Sequence, residues 1–445
     1  MHTDLTQGSI KTHLITLSIP AMTGYFFHTM FNVTDTVFAG LISTEALAAL
    51  SLSASVFFMI LAIGIGMSEA LTSLVGNALG EKNTDRAQHI ALNSIIFAVF
   101  LSLFLSISGV LSVPYFIGLL GDPSYVSTTL EYINIILYAT IFFIASFFFN
   151  ALLNATGDTK SFRNILIFTS ILNIFLNYLF VSYFEYGVRG IAIATVIAEF
   201  LTMSYLFYKL KNTKLWRGYK GFKFDISVIK ELLKQGFPPS MNMFMMAFGM
   251  YIITYFVAPY GKEAVAAFGI GMRVEQIFLM PVVGLGIATL AIVAQNNGAQ
   301  EYKRIEPTLK LAMLFGFSVS LLGVISFFTL GEYMVSFLTS DPIVIQMSVL
   351  YLKVCGFGFF GFVVIFISIS MLQGIKKPAI IFPISVYRQV VAPIILFSVV
   401  AFFALDIFYL WLTLDFIVLS AALYLLLYAK RKLNKLKTNE IKLIH

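Results

Sequence analysis

Long apolar runs separated by short polar punctuation dominate the chain. The runs fall at about 14–40, 46–78, 90–120, 125–153, 164–184, 189–208, 238–259, 264–295, 308–337, 343–372, 379–404 and 407–429. A helix needs about 20 apolar residues to cross the hydrocarbon of a bilayer, so the pattern predicts twelve transmembrane helices. Runs well beyond 25 residues imply tilt, kinks or ends that protrude into water. The fold class that follows is an all-α integral membrane protein.

The longest polar stretch, 209–237, lies at the midpoint and carries Trp216, Tyr219 and Phe222 between lysines, a composition suited to an anionic leaflet. It predicts an N-terminal six-helix lobe (1–208), a cytoplasmic linker (209–237), a C-terminal six-helix lobe (238–429) and a basic cytoplasmic tail (430–445). A shift of about 219 positions superimposes the halves. Pro20-Ala21-Met22 meets Pro239-Ser240-Met241, and Glu45 to Leu50 meets Glu263 to Phe268. Gly64-Ile65-Gly66 meets Gly284-Leu285-Gly286, Asn77 meets Asn297, Asp122-Pro123 meets Asp341-Pro342, and Tyr132 meets Tyr351. Six spans per copy is an even number, so the lobes should share orientation and be related by a pseudo-two-fold axis along the membrane normal. Such repeats belong to transporters with a site between the halves.

Composition agrees: 445 residues, 59% hydrophobic and 11% charged, against roughly 25% charged in soluble domains. A soluble enzyme, a nucleic-acid-binding module and a secreted disulfide scaffold are excluded. The lone Cys355 sits in an apolar run and reads as a buried hydrophobe. The excess of 29 basic over 22 acidic residues is topological. With a cytoplasmic N-terminus, 24 of the 29 fall on the inner side, and Arg189, Lys262, Arg273, Lys353 and Arg388 are the other five. The bias places both termini in the cytoplasm of a multi-pass protein, fitting a bacterial inner membrane. The first eleven residues have neither a basic n-region nor a cleavage site, so the first run reads as a permanent helix.

Charged side chains inside such runs are functional candidates by default. Asp35 stands about 22 Å beyond Pro20 along helix 1 at 1.5 Å per residue, with Arg189 as the one nearby basic candidate. In the second copy its place is taken by Thr254, so its task is done once. His28 shares its face approximately. Asn173 and Asn177 stack one turn apart on helix 5, and Thr195, Tyr132 and Asn150 add polar groups in the same half, suggesting a hydrated pocket. Pro20 and Gly24 weaken helix 1 and mark a hinge. Glu275 is a candidate second acid. Glu69, Glu199 and Asp415 are further intramembrane acids without an assigned part. The methionines from Met241 to Met250 suit a surface that accepts many shapes. No His-Glu-x-x-His, Gly-x-Ser-x-Gly or metal-spaced Cys/His cluster is present, which argues against an enzyme or a metal cofactor.

The chain resembles the multidrug and toxic compound extrusion family, in the bacterial branch that includes the DNA-damage-inducible F type. The residues that carry the resemblance are Phe31-Asn32-Val33-Thr34-Asp35, the loop from Asn154 to Lys160, and Gly187 to Thr195 entering helix 6. The resemblance implies a V-shaped pair of six-helix bundles, monomeric by default, exporting hydrophobic and often cationic compounds against protons or sodium ions. It also implies that Asp35, Asn173 and Thr195 belong to a coupling cluster. Asn177 stands where the family pattern often has Asp, leaving one formal charge and favouring the proton over sodium. Asp35 would then alternate between carboxylate and acid, with its protonation bending helix 1 near Pro20. Two other plans use similar helices. A lipid-linked precursor flippase would need several basic residues in its cavity, and a major-facilitator carrier a Gly-Asp-Arg-type loop where this chain reads Gly80 to Arg86.

Overall fold

The computed structural model describes residues 4–120, 123–216 and 223–444. Asp122 of the repeat, and Tyr219 and Phe222 of the linker, lie outside the described residues. Fifteen α-helices follow one another without a β-strand among the described residues. The first half holds α1 (Ile10–Ile42), α2 (Thr44–Gly80), α3 (Thr84–Leu120), α4 (Pro123–Tyr138), α5 (Thr140–Ala155), α6 (Lys160–Asn177) and α7 (Gly187–Lys211). The second holds α8 (Ile226–Val257), α9 (Lys262–Gly298), α10 (Tyr302–Ser336), α11 (Pro342–Cys355), α12 (Gly358–Gly374), α13 (Ile381–Val386), α14 (Ala392–Phe402) and α15 (Ile407–Ile444).

Nine described segments are each long and apolar enough to cross a membrane, and α4–α5 and α11–α12 each make one more when taken together. Those two spans are bent, by 48° and 54°. α1 has 33 residues, ample for a crossing, but His28, Asn32, Thr34 and Asp35 dilute its apolar character. Helix boundaries follow local chemistry. The Ser43 hydroxyl accepts the Ala46 N–H at 3.0 Å and caps α2. Asp341 caps α11 by accepting from Ile343 N at 2.9 Å, with Pro342 at the first helical position. π-helical turns follow α6 at Tyr178–Tyr183 and interrupt the eleventh span at Tyr387–Val391.

The chain divides into two compact units, and the division exchanges two half-helices. Unit 1 holds residues Thr23–Met243, and unit 2 holds Leu5–Met22 with Phe244–His445. The first half of α1 thus belongs with the C-terminal helices, and the first half of α8 with the N-terminal ones. Within unit 1, Gly66 of α2 lies against the backbone of Ser240 so closely that a methyl group would collide with it, and the Ser240 hydroxyl donates to the Ile63 carbonyl at 3.0 Å. Within unit 2, Gly284 of α9 lies in the same way against Ser18 and Met22. Glycine is required at both places because backbone meets backbone.

α8 begins at Ile226, inside the segment expected to be the linker, and α15 runs on through the tail. The charges of Lys230, Glu231 and Lys234 mask an amphipathic helix whose Val228 and Leu232 pack into the core of unit 1, with Ile229 also buried. The preceding segment is tied to the start of α3: Gln88 donates to the Lys214 carbonyl at 2.7 Å, and Asn93 accepts from Asp225 N at 2.8 Å.

Candidate functional site

Three helices of unit 1 bring one acid and three neutral side chains together. Asp35, on α1, is 4% exposed. Its Oδ1 accepts from the side-chain amides of Asn173 at 3.1 Å and Asn177 at 2.8 Å, both on α6. Its Oδ2 accepts from the Thr195 hydroxyl of α7 at 2.8 Å. The second proton of the Asn177 amide goes to Asn173 Oδ1 at 3.1 Å. The i, i+4 spacing of the two asparagines makes this cradle, stacking their amides on one face of α6.

The ends of the helices that build the cradle are shaped for it. Asn177 is the last residue before the π turn Tyr178–Tyr183, a local widening that recurs at functional places in helices. Gly187 opens α7 with φ +56°, and Thr195 follows two turns later. Ser170 ties α6 to α1 one turn before Asn173, its hydroxyl donating to the Phe27 carbonyl at 2.9 Å. Tyr132 of α4 interacts with the Thr195 side chain and with the charge of Asp35.

The geometry accommodates two protonation states. A Thr hydroxyl has one proton, and Thr195 Oγ1 has two acceptors in reach, Asp35 Oδ2 and the Ile191 carbonyl at 3.0 Å. With Asp35 ionised, Thr195 donates to it. With a proton on Oδ2, the acid donates to Thr195, whose own proton turns to Ile191. Neither state strands a donor. Asn177 Oδ1 is a buried acceptor without a partner.

Other sequence candidates lie elsewhere. Arg189 pairs with Glu131 at 3.2 Å, both partly exposed, so it does not neutralise Asp35. His28 and Asn150 are not among the hydrogen-bonding partners of Asp35. Asn150, on α5, is buried with its Oδ1 unpartnered. Ser146 is the side chain within reach of the buried Glu199 carboxyl on α7. α1 runs unbroken through Pro20 and Gly24. Gly24 packs against Phe162 and the Arg163 backbone, and the division between the units falls between these two residues, at Met22 and Thr23.

Unit 2 has a polar cluster that sequence reasoning saw only in part. The Tyr351 hydroxyl donates to Glu275 Oε2 at 2.8 Å. Asp415 of α15 receives the Gly358 N–H at the break between α11 and α12, and its charge acts on Glu275. Trp411 closes the cluster, its ring 4.9 Å from Tyr351 and 5.8 Å from Phe268. The sequence signal for Tyr351 was its place in the repeat opposite Tyr132. Among the described residues no group of three or more His, Cys, Asp or Glu is arranged to hold a metal ion.

The fold and this cluster define a multi-span membrane protein built twice on one helical plan around a buried acid. The MatE family profile matches residues 20–179 and 238–399, and the chain belongs to that family. It is 31% identical over 366 residues to the probable multidrug resistance protein NorM of Thermotoga maritima, covering 79% of this chain and 77% of that protein. It is 28% identical to the probable multidrug resistance protein YoeA of Bacillus subtilis, over 67% of each. Its fold is that of a solved multidrug resistance MATE family transporter in an outward-facing conformation, with TM-score 0.93, 21% identity and 98% coverage of both chains. The architecture is accordingly twelve transmembrane helices in two six-helix bundles.

Proposed function

We propose that this chain is a multidrug efflux transporter of a bacterial membrane that exports hydrophobic, cationic compounds in exchange for protons, with Asp35 as the proton carrier. The observation that carries the reading is the cradle of Asp35, in which all three donors to its carboxylate are neutral. Among the described residues no fixed cation pairs with the group, so its charge is set by a proton or by the compound carried.

The donor set favours the proton over sodium. The cluster carries one formal charge, because Asn177 and not a second acid stands one turn beyond Asn173, and a sodium site asks for several hard oxygen ligands with net negative charge. Proton uptake removes the charge that attracts the amides and reverses the Thr195 hydrogen bond. The outer half of α1 then loosens from α6 and α7, and Pro20 and Gly24, flanking the division between the units, are placed to bend. A cationic compound and a proton compete for one negative charge, which is what antiport requires.

Efflux of a fluorescent organic cation from loaded cells, under separately imposed proton and sodium gradients, tests this. Proton-driven efflux that Asp35→Asn abolishes, with the variant present in the membrane at the normal level, is the expected result. Sodium-driven efflux would replace the proton with sodium in the same fold. Normal proton-driven efflux by Asp35→Asn would remove Asp35 from the mechanism.

A further inference from the structure

The C-terminal unit holds a charge that proton exchange at Asp35 leaves unused. Arg388 stands in the π-helical turn Tyr387–Val391, within the span from Pro378 to Phe402. At 1.5 Å per residue it lies about 15 Å from the first end and about 21 Å from the other. An arginine side chain reaches about 7 Å, so it cannot snorkel to either interface. The residue is 7% exposed.

Its charge has no counter-ion among the described residues. None of the described hydrogen bonds or ion pairs involves its guanidinium. The two buried acids of the unit are engaged elsewhere, Glu275 by Tyr351 and Asp415 by the Gly358 backbone. What faces the guanidinium is an aromatic ring: Phe362 of α12, with its centroid 5.7 Å from the guanidinium carbon. A ring face attracts a cation, but it supplies no acceptor for five N–H groups. An arginine kept at mid-membrane without a carboxylate is not there to complete packing, which a methionine or leucine would do at far lower cost. The wider backbone of a π turn also recurs at ligand sites.

We propose that Arg388 recognises a carboxylate on the transported compound. The planar fork of a guanidinium pairs with a carboxylate through two parallel N–H···O bonds, and Phe362 offers a face to an aromatic body carrying it. The substrates would then include compounds bearing a carboxylate, whose anionic part is answered at Arg388. The inference goes beyond the reading of Asp35 as proton carrier, since binding at Arg388 needs no coupling ion.

A xanthene dye in two forms, the free carboxylate and its ethyl ester, gives the test. Binding of each is read by fluorescence polarisation to the full chain in phosphatidylcholine nanodiscs at fixed pH. Arg388→Gln should weaken binding of the carboxylate form at least tenfold and of the ester less than twofold. Equal losses for both forms, no change in either, or no binding of the carboxylate form to the unaltered protein would overturn the proposal. If Arg388→Gln does not yield folded protein, Arg388→Lys decides. A loss of threefold or more confined to the carboxylate form supports a guanidinium fork, and an unchanged ratio of the two forms overturns it. Displacement of the carboxylate form by added phosphatidylglycerol would make a lipid phosphate the occupant and overturn the substrate assignment. Asp35→Asn protein should keep the preference, so failure of proton coupling and failure of this site are read separately.

Discussion

The two units place different chemistry at matching points of one repeat. At the Asp35 position of the first copy, a carboxylate gathers three donors from α6 and α7. At the matching position of the second copy, Thr254 folds its hydroxyl back onto the Met250 carbonyl of its own helix at 2.8 Å and reaches nothing else. The tyrosines at the next matching point are both kept beside an acid. Tyr132 stands by Asp35, and Tyr351 donates to Glu275, which lies on α9 instead of on the first helix of its copy. Duplication preserved the helical frame while the acid moved, and the place of the acid decides which helix can respond to a proton. In unit 1 that helix is α1, which crosses from one unit to the other.

The largest expected effect would break this comparison outright. Asp35→Asn should lower proton-driven efflux by about 100-fold or more, a loss of about 3 kcal/mol of coupling in transport terms, while Glu275→Gln should leave it within about threefold. Equal losses would show that both units couple. Next, Gly66→Ala and Gly284→Ala should each lower stability by about 1–3 kcal/mol through overpacking against backbone, read as earlier thermal unfolding in detergent. A cost at one glycine only would show that the two exchanged half-helices are not held alike. Tyr351→Phe leaves a buried carboxyl without its donor and should cost about 1–3 kcal/mol. Tyr132→Phe should cost less, because Asp35 keeps all three of its donors.

The smallest effect concerns the tie between the inter-unit segment and α3. Asp225 accepts from the Ser227 N–H at 2.8 Å and from His89 at 3.1 Å. Its carboxyl is held down at about 2, chiefly by the Ser227 side chain and next by the His89 ring. A carboxyl lowered on folding stabilises the attachment above its free value near 3.8 and loses that contribution as the pH falls from about 4 toward 2. Amide protection factors at residues 223–228, which remove the intrinsic pH dependence of exchange, should therefore be unchanged between pH 5 and 8 and fall only in that acid window. A loss of protection anywhere between pH 5 and 8 would remove Asp225 as the controlling group.

Hydropathy made the helical frame legible, because crossing a bilayer demands apolar runs whose length a sequence shows directly. The Asp35 cluster was legible for a related reason: polar groups are scarce in such runs, and the i, i+4 pair Asn173 and Asn177 shares a face wherever α6 packs. The start of α8 was hidden because its surface charges read as linker while Val228, Ile229 and Leu232 carry the packing. The exchange of half-helices was hidden too, since it depends on which backbone a glycine meets, and Gly66 looks the same against any neighbour. Arg388 was visible only as a basic residue off the inner side. Its lack of a counter-ion is a property of three-dimensional neighbours.

The exchange also dictates an order of assembly. Leu5 donates its N–H to Gln295 at 3.0 Å, and the Leu5 carbonyl accepts from Asn296 at 3.1 Å, so the earliest part of the chain to be synthesised docks on residues made nearly 300 positions later. At about 5–20 residues per second, the opening half of α1 waits on the order of 15 s to 1 min for its binding surface to leave the ribosome. The nascent N-terminal unit therefore enters the bilayer with the first half of α1 unmoored. Unit 1 is complete once the chain has reached Met243, whereas unit 2, which holds the first half of α1, waits for the helices that follow.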